Sequence, residues 1–213
     1  MQKDFSSIRR EYRLKKLTTS AVSADPLVQF GIWLDEAISA RVTEPTAMTL
    51  ATTGSDGQPS ARIVLLKDID GDGLSFYTNY ESKKGRQLSE NSHAALLFFW
   101  PELERQVRFE GTAGKLAAAE SDRYFSSRPR ESRLGAWASR QSSVIASRSE
   151  LEKEVHNITG RYKDRDIPRP PFWGGYRLMP VLAEFWQGRP GRLHDRIEYR
   201  LNNGSWNIRR LSP

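Results

Sequence analysis

Apolar and polar residues recur with two different periods along the chain, and the change of period outlines the predicted elements. Asp25-Pro26 opens a helix, because Asp is a favoured N-cap and Pro suits the first helical position. The apolar residues that follow are three or four positions apart, which is the spacing of one helix face. These residues are Leu27, Phe30, Leu34, Ile38 and Val42. Residues 1–24 are polar and basic, which predicts an arm with at most a short helix.

From Ala47 onward, alternating or continuous apolar runs predict strands. The first runs are AMTLATT, SARIVLLKD, LSFYTN and HAALLFFW, separated by the turn-forming stretches SDGQ and DGDG and by a short helix from Ser82. Further strand-like runs cover residues 104–115, 174–186 and 193–201, and the final segment SWNIRRL.

Residues 118–165 have a helical pattern, with interruptions expected at Arg128-Pro129 and at Gly135. Strands joined by short turns, with helices grouped between them, predict an antiparallel barrel or sheet of the α+β class. A chain of 213 residues can bury a sizeable core. We therefore expect a basic arm over residues 1–24 and a single domain over residues 25–213.

The composition narrows the classes of protein. The chain has no cysteine, which excludes disulfides, thiolate metal sites and a cysteine nucleophile. No apolar leader precedes the arm and no apolar run approaches 18 residues, so a soluble cytoplasmic protein is expected. The net charge of +7 is spread over single cations beside Ser, Gln, Tyr and Trp, which favours discrete phosphate pockets over one nucleic-acid footprint. A solvated basic surface is the alternative.

Several familiar motifs are missing or misleading. There is no G-x-G-x-x-G, no G-x-x-x-x-G-K-[ST] and no H-E-x-x-H, which argues against a Rossmann site, a P-loop and a zincin. Residues 68–73 imitate the start of an EF-hand loop, but Asn79 occupies the position of the bidentate carboxylate, so a hairpin turn is expected. His93, His156 and His194 do not pair at a metal-ligand spacing, so no metal site is predicted.

Without a glycine-rich cradle, a phosphate must be held by side chains, and two clusters could do so. One runs from Arg62 to Lys67 and continues to Tyr77-Thr78 and Ser82-Lys83-Lys84; the other is YFSSRPRES, from Tyr124 to Ser132. Arg62 and Lys67 would lie on opposite faces of one strand and could serve two ligands. Taken singly, each cluster is also consistent with ordinary surface cations.

The C-terminal stretch EFWQGRPGRLHDRIEYR concentrates aromatic and cationic residues. Arg192, His194 and Arg196 are two residues apart. On an extended strand, this spacing would direct all three side chains to one face. The segment is therefore predicted to present a titratable and cationic face.

Taken together, these motifs resemble the pyridoxamine (pyridoxine) 5′-phosphate oxidase family over nearly the whole chain, from about Ile8 to Pro213. The most specific element is Glu184-Phe-Trp-Gln-x4-Arg192-Leu-His-Asp-Arg196, and RIVLLK, FYTN, ERQV, YFSSRPRES, GAWASRQSS and FWGGYR occur in the family's order. The resemblance implies an FMN-binding split β-barrel with helices packed around an antiparallel barrel. It also implies a homodimer with FMN at the subunit interface, and oxidation of pyridoxamine or pyridoxine 5′-phosphate to pyridoxal 5′-phosphate while oxygen becomes hydrogen peroxide.

The resemblance also assigns residues. Those expected to contact FMN are Arg62, Ile63, Val64, Leu65, Tyr77, Thr78, Lys83, Lys84, Gln106, Gln141, Ser142, Trp186 and Arg196. Those expected to bind substrate are Arg9, Tyr12, Lys67, Tyr124, Arg128, Ser132, Arg192 and His194. Arg192 and His194 are the expected catalytic pair, facing the substrate ring.

Two positions depart from the family pattern, and two alternatives remain. Lys83 stands where Arg is frequent, and Glu44 stands where related enzymes can carry Asp, which leaves the role of that carboxylate open. The phenazine-pathway oxidases are the nearest alternative, although Lys67 and the Tyr124–Ser132 cluster favour a phosphorylated B6 substrate. A flavin- or nucleic-acid-binding module without catalysis is the second.

Overall fold

The computed structural model describes residues 11–213, and these residues contain five α-helices and nine strands. The helices are α1 (Pro26–Ser39), α2 (Lys83–Glu90), α3 (Ala118–Ser127), α4 (Arg130–Ala138) and α5 (Arg148–Arg161). The strands are β1 (Ala47–Thr53), β2 (Pro59–Leu65), β3 (Asp68–Asp70), β4 (Gly73–Asn79), β5 (His93–Trp100), β6 (Arg105–Lys115), β7 (Trp173–Gln187), β8 (Asp195–Asn202) and β9 (Ser205–Leu211). Short 3-10 turns occupy Thr19–Ala21 and Pro190–Arg192.

The strands form one sheet in the order β2-β1-β5-β6-β7-β4-β3, and β8 pairs with both β7 and β9. Antiparallel registers join β3 to β4, β4 to β7, β7 to β8 and β8 to β9. Short hairpin turns explain two of these pairings; in the first, Asp70 Oδ1 accepts the N–H groups of Asp72 and Gly73 at 2.9 and 3.1 Å. The predicted α+β class and antiparallel architecture are confirmed.

Helix α1 begins as its sequence predicts. Asp25 Oδ1 accepts the backbone N–H of Leu27 at 2.7 Å and of Val28 at 3.2 Å, and Pro26 occupies the first turn. The buried face contains Leu27, Phe30 and Leu34, but also Trp33 and Ala37. The predicted stripe was wrong at its end, because Ile38 is 52% exposed and the helix stops before Val42.

The described residues fall into two units, each with its own internal packing. The first unit comprises residues 11–49, Leu96–Glu110 and Pro180–Pro213. Its core is rich in aromatic rings. The ring centre of Phe30 lies 4.6 Å from that of Phe98 and 5.2 Å from that of Phe109, and the ring centres of Phe185 and Trp33 are 5.2 Å apart. These rings supply large buried area in edge and tilted contacts.

The second unit comprises Leu50–Ala95 and Gly111–Met179. One of its apolar clusters joins helices α3, α4 and α5 to Trp173. The break between α3 and α4 falls at Arg128-Pro129 as predicted, since a residue before proline is disfavoured in the helical region and Arg128 is extended (φ −73°, ψ 148°). The interruption predicted at Gly135 is wrong, because that glycine lies inside α4.

No helix in the range 11–213 is both long enough and apolar enough to span a bilayer.

Candidate active site

A cavity of about 500 Å³ opens in the second unit, between the β2–β4 region and helices α3 and α4. We call it the cation cavity. Its lining residues are Ile63, Val64, Leu65, Lys67, Tyr77, Thr78, Lys84, Tyr124, Arg128, Pro129, Ser132, Gln141 and Trp173. All but Pro129 and Trp173 belong to the predicted FMN or substrate residues. The two clusters that lie some 60 residues apart in sequence therefore line one space.

Two cations lie close together here: Lys84, which lines the cavity, and Arg62 beside it. Lys84 Nζ donates to Gln141 Oε1 at 2.8 Å and to Thr78 Oγ1 at 3.2 Å. Burial, together with the nearby charge of Arg62, lowers the pKa of Lys84 to about 8. The Arg62 guanidinium is bound by neutral oxygens, including Leu50 O at 3.1 Å, and its pKa is lowered by burial. Within the described part of the chain, neither cation is paired with a carboxylate.

The start of α2 fixes Lys84. Ser82 caps the helix, with its hydroxyl accepting the N–H of Gly85 at 3.2 Å and donating to Asn79 O at 2.7 Å. Gly85 packs directly on the preceding turn: a Cβ there would lie 2.2 Å from Tyr80 O. Only glycine allows this approach, so the helix begins close to the end of β4 and carries Lys84 to the cavity.

Arg128 is a further cation of the cavity, beside Lys84 and Lys67. Its guanidinium lies 4.6 Å from the ring centre of Trp173, and the Trp173 ring stacks at 5.5 Å from Tyr77. Tyr77 in turn stacks on Tyr124 at 3.9 Å. Arg128 Nη1 is buried and has no hydrogen-bond partner among residues 11–213, and burial lowers the pKa of Arg128. Because a buried donor without an acceptor is costly, this N–H is available to donate to an oxygen acceptor.

Trp173 is the main residue that the sequence reasoning missed. It stands in the motif FWGGYR, followed by Gly174 and Gly175, which pair with Thr78 and Tyr77 across β4 and β7. A Cβ on Gly175 would lie 2.8 Å from the Tyr77 ring. An aromatic residue next to two glycines in a strand was the available signal for this close packing.

A second set of predicted residues gathers in the first unit, where it forms what we call the C-terminal group. Three of its rings are in contact. The ring centre of Trp186 lies 4.5 Å from that of His194 and 5.6 Å from that of Tyr12, and the ring centres of Tyr12 and His194 are 5.9 Å apart. The backbone N–H of Arg189 donates to His194 Nδ1 at 3.1 Å. Burial, and then the neighbouring charge of Arg192, lower the pKa of His194, so the neutral ring is favoured.

Arg196 completes the C-terminal group and lies opposite Trp186 in the β7–β8 register. Its guanidinium donates two hydrogen bonds to the Glu184 carboxylate, from Nε to Oε1 at 2.7 Å and from Nη2 to Oε2 at 3.1 Å. Arg108 Nη2 also donates to Glu184 Oε2, at 2.7 Å. Burial raises the pKa of Glu184, but the hydrogen bonds from Arg196 and Arg108 outweigh it and hold that pKa below its usual range.

The predicted alternation of Arg192, His194 and Arg196 on one strand is wrong. Strand β8 begins at Asp195, and Arg192 ends the 3-10 turn with φ +62°. Pro190-Gly191, a turn-forming pair, breaks the extended chain at this point. Lys67 was likewise misplaced: it follows the end of β2, so it does not share a strand with Arg62, although it does reach the cavity.

The remaining predicted residues are more scattered. Lys83 is exposed at the start of α2, and Ser142 is exposed after α4 with φ +71°. Gln106 is half-buried in β6 of the first unit. Glu44, whose role was left open, is exposed with φ +53°. Arg9 lies outside the described residues.

Comparison with known proteins places this architecture. The chain superimposes on the crystal structure of a pyridoxamine 5′-phosphate oxidase-related, FMN binding protein from Nostoc punctiforme with a TM-score of 0.70, covering 90% of this chain and 100% of the other at 18% identity. It also superimposes on PhzG from Burkholderia lata, crystallised in complex with tetrahydrophenazine-1-carboxylic acid, with a TM-score of 0.88, 33% identity and coverage of 94% and 99%. The fold is that of the FMN-binding split-barrel class.

The family follows from sequence. The family model described as pyridoxamine 5′-phosphate oxidase matches residues 34–162, and that of the pyridoxine 5′-phosphate oxidase C-terminal dimerisation region matches residues 173–213. A pyridoxine/pyridoxamine 5′-phosphate oxidase from a Cyanothece species is 55% identical over 208 residues, 98% of each chain. The chain belongs to the pyridoxamine 5′-phosphate oxidase family and is an oxidoreductase, and its dimerisation region indicates a homodimer.

Proposed function

We propose that this enzyme is an FMN-dependent oxidase that converts pyridoxamine 5′-phosphate, with water consumed and ammonia released, or pyridoxine 5′-phosphate to pyridoxal 5′-phosphate and reduces oxygen to hydrogen peroxide. This is the reaction of vitamin B6 biosynthesis and salvage. The observation that carries the proposal is the cation cavity, which brings Lys84, predicted for the FMN phosphate, together with the four residues predicted for the substrate phosphate, and holds cations without carboxylate partners among the described residues. The relatives named for this activity support it.

The residues present fit FMN. Lys84 and Arg62 would hold its phosphate, because both cations are partly desolvated and bonded only to neutral oxygens within the described chain. The N-terminal end of α2 adds a partial positive charge beside them. We propose that Gln106, Trp186 and Arg196 face the ring system, that the other predicted cofactor residues complete the contacts, and that FMN lies at the subunit interface of the homodimer.

The substrate phosphate would be held by Lys67, Tyr124, Arg128 and Ser132. Arg128 Nη1, which has no partner among the described residues, would donate to it, and Trp173 would hold the guanidinium through a cation–π contact. Anchoring this remote group uses binding energy to fix the position of the reacting carbon. When bound, FMN would supply the two-electron redox chemistry that links oxidation of the substrate to reduction of oxygen.

Arg192, His194, Arg9 and Tyr12 are proposed to surround the substrate ring. His194 accepts the Arg189 N–H at Nδ1, so in the neutral imidazole the proton resides on Nε2. His194 would therefore act as a hydrogen-bond donor through Nε2 toward a ring oxygen. Arg192 would orient the substrate and stabilise the charge that develops at the reacting centre.

The test is optical. The purified protein should show a flavin absorption spectrum with about one FMN per chain, and anaerobic addition of pyridoxamine 5′-phosphate should bleach it. Oxygen should then restore the spectrum and yield hydrogen peroxide. A colourless protein, or a bound flavin that stays oxidised in the presence of the substrate, would refute the proposed reaction.

The likeness to PhzG supports a second candidate, oxidation of a reduced phenazine carboxylic acid. Two observations favour the B6 substrate: the identity to relatives named for it is 55%, against 33% to PhzG, and the cavity contains all four residues proposed for a substrate phosphate. Comparing flavin reduction by the two substrates separates the candidates. Faster reduction by the phenazine compound would reverse the assignment.

A further inference from the structure

The segment from Glu11 to Thr18 forms no helix or strand, yet side chains of the first unit hold its backbone. Glu104 Oε2 accepts the N–H of Arg13 at 2.7 Å and the N–H of Leu14 at 3.0 Å. Further along, Asp195 Oδ2 accepts the N–H of Leu17 at 3.0 Å. Two carboxylates thus take the place that a neighbouring strand would have in satisfying these donors.

Glu104 is held firmly enough to act as an anchor. It is 3% exposed and has a left-handed backbone (φ +55°), a conformation that surrounding contacts must maintain in a residue other than glycine. Its carbonyl oxygen accepts the N–H of Gly188 at 2.8 Å and the side-chain amide of Gln187 at 3.1 Å. The end of β7 therefore fixes the backbone that carries this carboxylate.

The residue placed by this anchor is Tyr12, which directly precedes Arg13. Its ring packs on the backbone of Gly188, where an added Cβ would lie 2.6 Å from Tyr12 Cγ. The same ring meets Trp186 edge-on, at an interplanar angle of 88°, and lies beside His194. Since the two held N–H groups immediately follow Tyr12, releasing them would release its ring.

We propose that Glu104 is a positioning residue: by accepting the N–H groups of Arg13 and Leu14, it keeps Tyr12 against Trp186 and His194. The proposal rests on the proposed function in one respect, because Tyr12 is there assigned to the substrate ring. Hydrogen bonds to a carboxylate are stronger than those between neutral groups, which suits a single side chain to this task. The Asp195–Leu17 bond remains in a Glu104 variant, so the chain stays attached beyond Tyr12.

Limited trypsin digestion of the FMN-saturated protein tests the anchor without measuring turnover. In Glu104→Ala, cleavage after Arg13, Lys15 and Lys16 should be at least about tenfold faster, since cleavage follows the population of the released segment. Glu104→Gln keeps an acceptor oxygen, so its cleavage rate should lie between those of Glu104→Ala and the wild type. Glu102→Ala is the matched control, because Glu102 is an exposed neighbour that accepts the N–H of Thr43 and should leave the rate unchanged.

Two digestion results would overturn the proposal. One is an unchanged cleavage rate in Glu104→Ala. The other is faster cleavage spread over the whole chain together with a lower Tm, which would mean that Glu104 only stabilises the fold.

Steady-state kinetics then separates the anchor from the proposed reaction. Glu104→Ala should raise the KM for pyridoxamine 5′-phosphate about tenfold, with kcat within about twofold and the Kd for FMN unchanged. Faster cleavage of the segment with an unaltered KM would overturn the positioning role. A wild-type protein without oxidase activity would refute the proposed function, while the digestion rates would still decide whether Glu104 holds the segment.

Discussion

The cation cavity and the C-terminal group both present arginines, but they differ in how the positive charge is balanced. In the cavity, Arg128 Nη1 is buried without a partner in the part of the chain that the structure describes, and Lys84 is bonded to neutral oxygens. In the C-terminal group, Arg196 and Arg108 share the buried carboxylate of Glu184. An unbalanced buried cation favours an incoming anion, whereas a paired one has a fixed position. We infer that the cavity binds phosphate and that the C-terminal group forms a rigid surface.

The largest effect is expected from removing the Glu184 carboxylate that Arg196 and Arg108 share. Glu184→Gln should lower the free energy of unfolding by about 3 kcal/mol at pH 7, because two guanidinium groups lose their shared carboxylate. Urea unfolding measures this difference. The control is Glu110→Gln, which removes the half-exposed partner of Arg108 and should cost less than about 1 kcal/mol.

The same pair of proteins gives a pH test. The pKa of Glu184 is lowered in the folded state, so its stabilising contribution is present above the unfolded value of about 4.3 and is lost as the pH falls through the folded pKa. The stability gap between wild type and Glu184→Gln should therefore shrink below about pH 4. A gap that stays constant down to pH 3 would contradict the ion pair.

Arg192 belongs to the same C-terminal stretch as Arg196, but it is exposed. It therefore tests the catalytic role of this stretch apart from the Glu184 ion pair. Arg192→Leu should keep the flavin spectrum and lower kcat/KM at least about 100-fold, the scale expected when one preorganised donor is lost. Anaerobic stopped-flow reduction of the flavin checks this. Arg200→Leu is the control: Arg200 forms a rim ion pair with Glu198 at 3.5 Å, and its loss should barely change turnover. An unchanged reduction rate and affinity in Arg192→Leu would remove the catalytic assignment.

The two ends of the cation cavity can be separated by mutation. Arg128→Ala should raise the substrate KM about 10- to 150-fold and retain flavin, whereas Lys84→Ala should weaken FMN binding by a similar factor. Substrate titration and flavin release on gel filtration measure the two effects. Arg123→Ala, on the exposed face of α3, should change neither. Release of flavin by Arg128→Ala with an unchanged KM would show that the phosphates were assigned the wrong way round.

The smallest effect is expected in the pH dependence of FMN binding. Because the pKa of Lys84 is lowered to about 8, raising the pH from 7 to 9 should remove most of its charge and raise the Kd for FMN about tenfold. Lys84→Arg keeps its charge over this range and should show a flat profile. The same rise in wild type and Lys84→Arg would assign the pH dependence to another group.

Local signals predicted much of the fold. The strand at Ala47–Thr53, the hairpin strand at Ser205–Leu211 and the helix capped by Asp25 all lie where the pattern placed them, because alternation and capping act over a few residues. The error at Gly135 arose because helix packing outweighs one glycine's low propensity. The division into an arm over residues 1–24 and one domain stays a prediction.

The site was harder to predict wherever it depends on turns or on distant partners. Lys84, Arg128 and Tyr124 belong to the two clusters that the sequence offered as phosphate sites, and they do line one cavity, but the roles that the family resemblance gives them stay predictions. Arg192 was misplaced because the extended pattern hid the turn at Pro190-Gly191. The pairing of Arg108 with Glu184, 76 residues apart, has no local signal at all.

The buried Nη1 of Arg128 has a consequence for how the enzyme is handled in the laboratory. A donor that lacks an acceptor within residues 11–213 would not distinguish the proposed substrate phosphate from a free inorganic one, since both offer the same charged oxygens. Phosphate and sulfate buffers should therefore act as competitive inhibitors, with the apparent KM rising in proportion to the buffer anion while kcat stays constant. Chloride, which is singly charged and spherical, should compete far less, so affinities measured in different buffers will not agree until the anion is matched.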